Sequence, residues 1–207
     1  MILESTLDTF LEELASSAPT PGGGSSAALL GALGAALVSM VCNLTLGKEK
    51  YAGVQAQAEQ LLSEAERLRA RLTALVQEDV EAFGGLSAAY KLPRLEAEQK
   101  RARSAAIQRA LLSACEVPLE TAEACSQVLA LCKPAAEIGN SQAVSDAGVA
   151  AASARAGLES AALNVEINLS VIKDEVVCQA ARARLDAAMA GLDTRVSSTL
   201  ATVRSRL

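Results

Sequence analysis

The stretch APTPGGGSSAALLGALGAALVSMVCNLTLGK, residues 18 to 48, decides the fold. Its two prolines and three glycines stop one helical pattern. A second then runs from about Ser25 to Leu46 in Ala, Leu, Gly and Val, and no residue from Leu14 to Gly47 carries a charge. The most apolar part, Ala27 to Val41, is about 15 residues long, short of the roughly 20 that span a bilayer. Gly31, Gly34 and Ser39 interrupt it. Small residues recur at Ala27, Gly31 and Ala35, a spacing that lets helices approach closely. The stretch reads as the buried central helix of a bundle, with no membrane partner.

On either side of it the pattern is helical too. The first helix starts near Ser5, where Ser5 and Asp8 have the spacing of a capping box, and runs to Ser17. A long pattern spans Val54 to about Ala89. The next begins near Leu95, meets Pro118 as a kink or a break, and stops at Pro134. Gly139-Asn140-Ser141 opens a helix to about Ile172, and Lys173-Asp174-Glu175 marks a junction before the last helix. There are no internal repeats or low-complexity linkers. The chain reads as one domain, residues 1–207, an all-α bundle of five or six helices, some of them long.

Composition narrows the chemistry. Half of the residues are apolar, yet two Phe, two Tyr and no Trp leave the core to Ala, Leu and Val. A net charge of −5 and the scarcity of aromatics argue against nucleic acid. Five cysteines, odd in number and without a C-x-x-C pair, fit a reducing cytoplasm better than a disulfide framework. The start, MILESTLDTFLEELA, is acidic and amphipathic, unlike a signal peptide. There is no histidine. This removes the commonest acid/base group and metal ligand, and with it Ser-His and Cys-His nucleophile chemistry. No metal is expected, and catalysis falls to carboxylates, Lys, Tyr, Cys or backbone dipoles. Cys42 and Cys115 have no basic neighbour in sequence and read as packing residues.

Two helices carry polar groups where apolar ones are expected. Leu61, Leu68, Leu72, Leu75 and Phe83 follow one stripe of the long third helix, and Asp79 falls on it. Asp79 is then an acid/base group aimed at the core, or it marks a tilt of the stripe to the surface, or it pairs with a buried Arg. On the fifth helix Asp146, Ala150, Ser153, Gly157, Ser160, Asn164 and Asn168 share a strip about 80° wide at 100° per residue. Arg155, Glu159 and Glu166 lie opposite. Such a file fits a tight helix contact or the lining of a polar cleft. Gly22, Gly23, Gly24 and Ser25 before the central helix offer backbone N–H groups and a positive dipole end to an anion. A plain turn with Ser25 as N-cap fits equally, and neither the Walker A nor the G-x-G-x-x-G pattern is met.

The segments FLEELASSAPTPGGGSSAALLGALGAALVSMVCNLTLGK, LVQEDVEAFGGLSAAYKLP, EIGNSQAVSDAGVAA and AALNVEINLSVIKDE, in this order, resemble the cyclodeaminase/cyclohydrolase family of folate enzymes. That family includes the C-terminal domain of formiminotransferase-cyclodeaminase and stand-alone bacterial proteins of about this size. The resemblance runs nearly end to end, and the combination of P-x-P-G-G-G-S, G-N-S-x-x-x-S-D and N-V-x-I-N-L is specific.

The resemblance implies an all-helical fold, a homodimer or higher assembly, and no permanently bound cofactor, a tetrahydrofolate derivative being the substrate. The reaction it implies is closure of 5-formimino-tetrahydrofolate to 5,10-methenyl-tetrahydrofolate with loss of ammonia, fed by a separate formiminotransferase. Alternatives are cyclohydrolysis of the methenyl form at the same site, or a non-catalytic folate-binding or structural bundle. Asp79 matches the family's proton acceptor in L-V-x-x-D-x-x-A-F. Asn140, Ser145, Asp146, Asn164 and Asn168 fall in its motifs, the polar file lining the pterin and one-carbon end. Asp146, near a helix start, is expected to stand as a fixed negative charge beside the cationic product. Lys48 and Lys50 are the expected cations for the folate's glutamate carboxylates, unless they are only a solvated helix end.

Overall fold

Residues 4–207 are described by a computed structural model. Seven α-helices follow in order: α1 (Leu7–Leu14), α2 (Gly23–Asn43), α3 (Gln55–Tyr90), α4 (Ala97–Ile138), α5 (Val144–Leu169), α6 (Glu175–Met189) and α7 (Leu192–Arg204). A 3₁₀ segment kinked at Tyr51 occupies Glu49–Val54 and a single 3₁₀ turn Ser141–Ala143, and the described residues contain no strand. α2 is the axis around which α3, α4 and α5 pack. At 21 residues it is longer than its apolar run and is long and apolar enough to cross a membrane, but 61% of its most apolar window is buried inside the bundle.

The glycines explain how α2 takes three neighbours. A Cβ on Gly157 would lie 2.9 Å from the Ala27 carbonyl and 3.0 Å from the Gly31 nitrogen. A Cβ on Gly31 would meet Cys125 Sγ at 2.5 Å, and one on Gly34 would meet the Ala150 carbonyl at 3.0 Å. The α2 and α5 backbones therefore touch, and the middle of the polar file on α5 is a helix contact. Larger side chains fill the next layer. Leu68, Leu72, Leu75, Leu111, Leu119, Leu129 and Leu158 are fully buried, each contributing about 1.5–3 kcal/mol.

Contacts fix the helix directions. Gly24 lies against Asp79 and Gly31 against Leu72, so α3 runs antiparallel to α2. Gly23 lies against Asn164 and Gly34 against Ala150, so α5 does too. At about 1.5 Å per residue, α2 is roughly 30 Å long and α3 and α4 roughly 54 and 63 Å. α3 meets the first turn of α2 at Asp79, so residues 80–90 run on beyond it.

Several boundaries differ from expectation. Thr6, not Ser5, caps α1, its Oγ1 accepting from the Thr9 N–H at 3.1 Å. Gly191, at φ 64, divides the expected last helix into α6 and α7. Pro134 does not stop α4, nor does Pro118 break it. Each proline lacks the N–H that would serve the carbonyl four residues back. Ala130, behind Pro134, is exposed to water. Ala114, behind Pro118, receives the Asn168 amide at 2.8 Å. Asn168→Ala removes that donor and should cost about 1–3 kcal/mol. Urea denaturation measures it, and an unchanged midpoint would mean that water serves Ala114 instead.

Candidate active site

Asp79 stands where α3 passes the end of α2, and the sequence builds the spot from both sides. Ser25, fully buried in the first turn of α2, donates its Oγ to Asp79 Oδ2 at 2.7 Å. Gly24 makes the approach possible, since a Cβ there would lie 2.1 Å from Asp79 Oδ1 and 2.6 Å from its Cγ. The carboxylate thus sits at the positive end of the α2 dipole. The buried-Arg alternative does not hold. Arg71 is taken by Glu120 at 2.6 Å and by Glu78, and among the described residues no cation pairs with Asp79.

Beyond Asp79 the stripe on α3 opens instead of continuing into the core. Leu68, Leu72 and Leu75 are buried, whereas Phe83 is 41% exposed, because α2 no longer covers it. A cavity of about 360 Å³ forms there between the α3 overhang, α4 and the end of α5, with Asp79, Phe83, Tyr90, Leu111, Asn164 and Asn168 in its wall. The Asn164 amide donates to the Ser160 carbonyl at 2.8 Å, and the Asn168 amide to the carbonyls of Ala114 and Asn164, both at 2.8 Å. Carbonyls only accept, so both amide orientations are set and both Oδ1 atoms remain as acceptors. Periodicity alone gives two readings of the polar file. Both hold: Ala150 and Gly157 make the contact with α2, Asn164 and Asn168 the lining.

The remaining expected residues lie at the opposite end of α2. Asn140, 5% exposed, spends its groups on the chain: its N–H donates to Thr45 Oγ1, its amide to the Leu44 carbonyl, and its Oδ1 accepts from the Gln142 N–H. Lys48 and Lys50 are exposed after α2, Lys50 over the Tyr51 ring at 5.4 Å. Ser145 and Asp146 belong to the first turn of α5, roughly 27 Å along that helix from Asn164. Within one chain, then, Gly22–Ser25, Asp79, Asn164 and Asn168 come together, while Lys48, Lys50, Asn140, Ser145 and Asp146 do not join them. Sequence reasoning missed Tyr90, Leu111 and Val171, whose place in the wall depends on the α3 overhang.

Thiols offer little competing chemistry. Burial pushes Cys42 and Cys115 up to about 11, and Cys125 and Cys132 up to about 12. All five cysteines are buried and free, so the packing role read from sequence fits.

A family model described as formiminotransferase-cyclodeaminase matches residues 6–187, which include Asp79, the glycine turn and both asparagines. The chain belongs to this family. Among its relatives, a methenyltetrahydrofolate cyclohydrolase of Methylorubrum extorquens is 48% identical over 98% of this chain and 97% of its own. The formimidoyltransferase-cyclodeaminase of Rattus norvegicus is 34% identical over 99% of this chain, which spans 38% of that protein's length. The crystal structure of a formiminotetrahydrofolate cyclodeaminase from Thermotoga maritima superimposes with a TM-score of 0.87 at 28% identity, covering 99% of this chain and 98% of the other. The family thus has the all-helical architecture read from the sequence.

Proposed function

We propose that the chain is a folate one-carbon enzyme that acts at the carbon bridging N5 and N10 of tetrahydrofolate, with Asp79 as the acid/base group. One observation carries this: a carboxylate that accepts from Ser25 and lies against Gly24 opens onto a cavity also lined by Asn164 and Asn168, whose Oδ1 atoms accept no hydrogen bond among the described residues. Folate pterins carry N–H donors for which Asn164 and Asn168 Oδ1 are suitable acceptors.

Two reactions fit that constellation. In cyclohydrolysis, water attacks the methenyl carbon as Asp79 takes its proton. Asp79 returns the proton to N5 as the C–N5 bond breaks, and the adduct hydroxyl sheds its own proton to leave the formyl group on N10. In cyclodeamination, N10 attacks the carbon of the protonated formimino group, an amidinium, and Asp79 carries the N10 proton to the resulting amine, which leaves as ammonia and yields the methenyl cation. The 48% identity along nearly the full length of a cyclohydrolase favours the first. The cyclodeaminase structure supports the second, which needs a separate enzyme that transfers a formimino group to tetrahydrofolate. The purified chain, given each folate in turn, decides by the near-UV band of the methenyl form. Decay above the spontaneous rate establishes cyclohydrolysis, growth with ammonia release establishes cyclodeamination, and no change with either sinks the reading.

The working unit is proposed to be a homodimer. α4 lies beneath the α2–α5 pair, and on the opposite side Leu33, Met40, Val149, Leu163 and Ile167 are 45–68% exposed. α2 contributes no charge to that face. Two helices about 10 Å apart and about 30 Å long present roughly 600 Å², close to one partner's share of a standard interface. Ile167 also lines the cavity, so a second copy on this face would border the site. Leu33→Glu with Leu163→Glu is expected to convert a dimer into a 21.3 kDa monomer by light scattering. A wild-type chain already monomeric at micromolar concentration would end the proposal.

A further inference from the structure

Two prolines lie inside α4, and the helix runs through both. Each ring removes an N–H and leaves no room for the carbonyl four residues back to point along the helix axis, so that carbonyl turns outward. Behind Pro134 it belongs to Ala130, an exposed residue. Behind Pro118 it belongs to Ala114, a wall residue of the Asp79 cavity. Pro118 itself is buried and does not line that cavity.

The Ala114 carbonyl decides how Asn168 is used. A side-chain amide has two N–H donors and one oxygen. Asn168 gives its donors to the Ala114 carbonyl and to the Asn164 carbonyl, each at 2.8 Å. No donor is left over for a ligand, and Oδ1 is the atom this side chain offers to the cavity. The bond to Asn164 is local to α5, and an amide anchored there alone is free to turn its nitrogen toward the cavity. The bond to Ala114 crosses from α5 to α4 and fixes the plane of the amide. Asn164, one turn earlier, is held in the same sense by the Ser160 carbonyl.

Resting on the folate reading, we infer that Pro118 is a positioning residue for substrate binding: by freeing the Ala114 carbonyl it locks Asn168 with Oδ1 turned to the cavity, where it accepts from an N–H donor of the substrate. Pro118 touches neither substrate nor Asp79 and acts through a carbonyl and an amide. Its effect therefore falls on binding and not on the proton transfer. Pro134, with no amide behind it, has no such role.

Pro118→Ala and Pro134→Ala make the same chemical change in the same helix, and comparing them tests the inference. Alanine is the better helix former, so the fold should survive either change. Pro118→Ala supplies an N–H to the Ala114 carbonyl and draws it back to the helix axis. KM for the tetrahydrofolate substrate should rise about three- to tenfold, the worth of one hydrogen bond, with kcat within about twofold. Pro134→Ala should leave both unchanged. In an Asn168→Ala background, which itself raises KM by a similar factor, Pro118→Ala should add less than about twofold, since it acts through that amide. The Asn168 side-chain signal in a nitrogen-15 correlation spectrum reads the lock without substrate. Pro118→Ala should shift it and speed its proton exchange with water, and Pro134→Ala should not. An unchanged KM in Pro118→Ala, equal rises in both proline variants, rises that multiply in the double variant, or an unmoved Asn168 signal would each overturn the inference. A wild-type chain that turns over neither folate overturns the functional reading instead, and the Asn168 signal then still tests the lock.

Discussion

Asp79→Asn is expected to lower kcat by about 10²–10⁴-fold, the usual worth of a positioned acid/base group. The substitution keeps shape and volume and can still accept the Ser25 hydroxyl, so the fold should survive. It removes the group that takes and returns the proton. Steady-state kinetics on the methenyl and formimino substrates, with a thermal melt of the same preparation, separate chemistry from stability. A variant that melts like wild type and keeps full turnover would show that another group moves the proton. KM should change little, because the amides of the wall are untouched.

Gly24→Ala should be nearly as damaging, for a steric reason. The new methyl carbon would lie 2.1 Å from Asp79 Oδ1, and helix or carboxylate must give way. A displacement near 1 Å at the reacting group can cost about 100-fold in rate, and overpacking adds about 1–3 kcal/mol of destabilisation. Gly84, on the exposed α3 overhang, has nothing within 4 Å of where an added methyl would stand and is the natural comparison. Gly84→Ala should stabilise by up to about 1 kcal/mol, because glycine is a poor helix former. Equal activity in Gly24→Ala and Gly84→Ala would refute the claim that α2 is shaped around the carboxylate.

Much of this architecture is legible in the sequence because it repeats with the helix. The apolar stripe on α3, the uncharged α2 and the polar file on α5 all follow from residue spacing, and Asp79 stands out by interrupting a stripe. What spacing does not show is where neighbours begin and end. Asp79 opens to a cavity only because α2 starts at Gly23, a fact of pairing between segments some fifty residues apart. Pro118 reads as a kink or break because its rescuing donor, Asn168, lies far along the chain. The G-N-S-x-x-x-S-D motif looks like part of the same site, yet Asn140 works locally, tying the end of α2 to the start of α5.

The α3 overhang has a further consequence for how the molecule breathes. α2 and α5 are locked by backbone contacts at Gly31, Gly34 and Gly157, with the Cys125 and Val128 side chains of α4 packed against the same glycines, whereas residues 80–90 reach past α2 and keep exposed Phe83 and Tyr90. Amide protons in the locked slab should exchange with solvent only on global unfolding, while those of the overhang should exchange through small local openings. The wall of the proposed folate cavity is thus the segment able to fray on its own, and each opening leaves the slab that carries Ser25 and Asn164 intact.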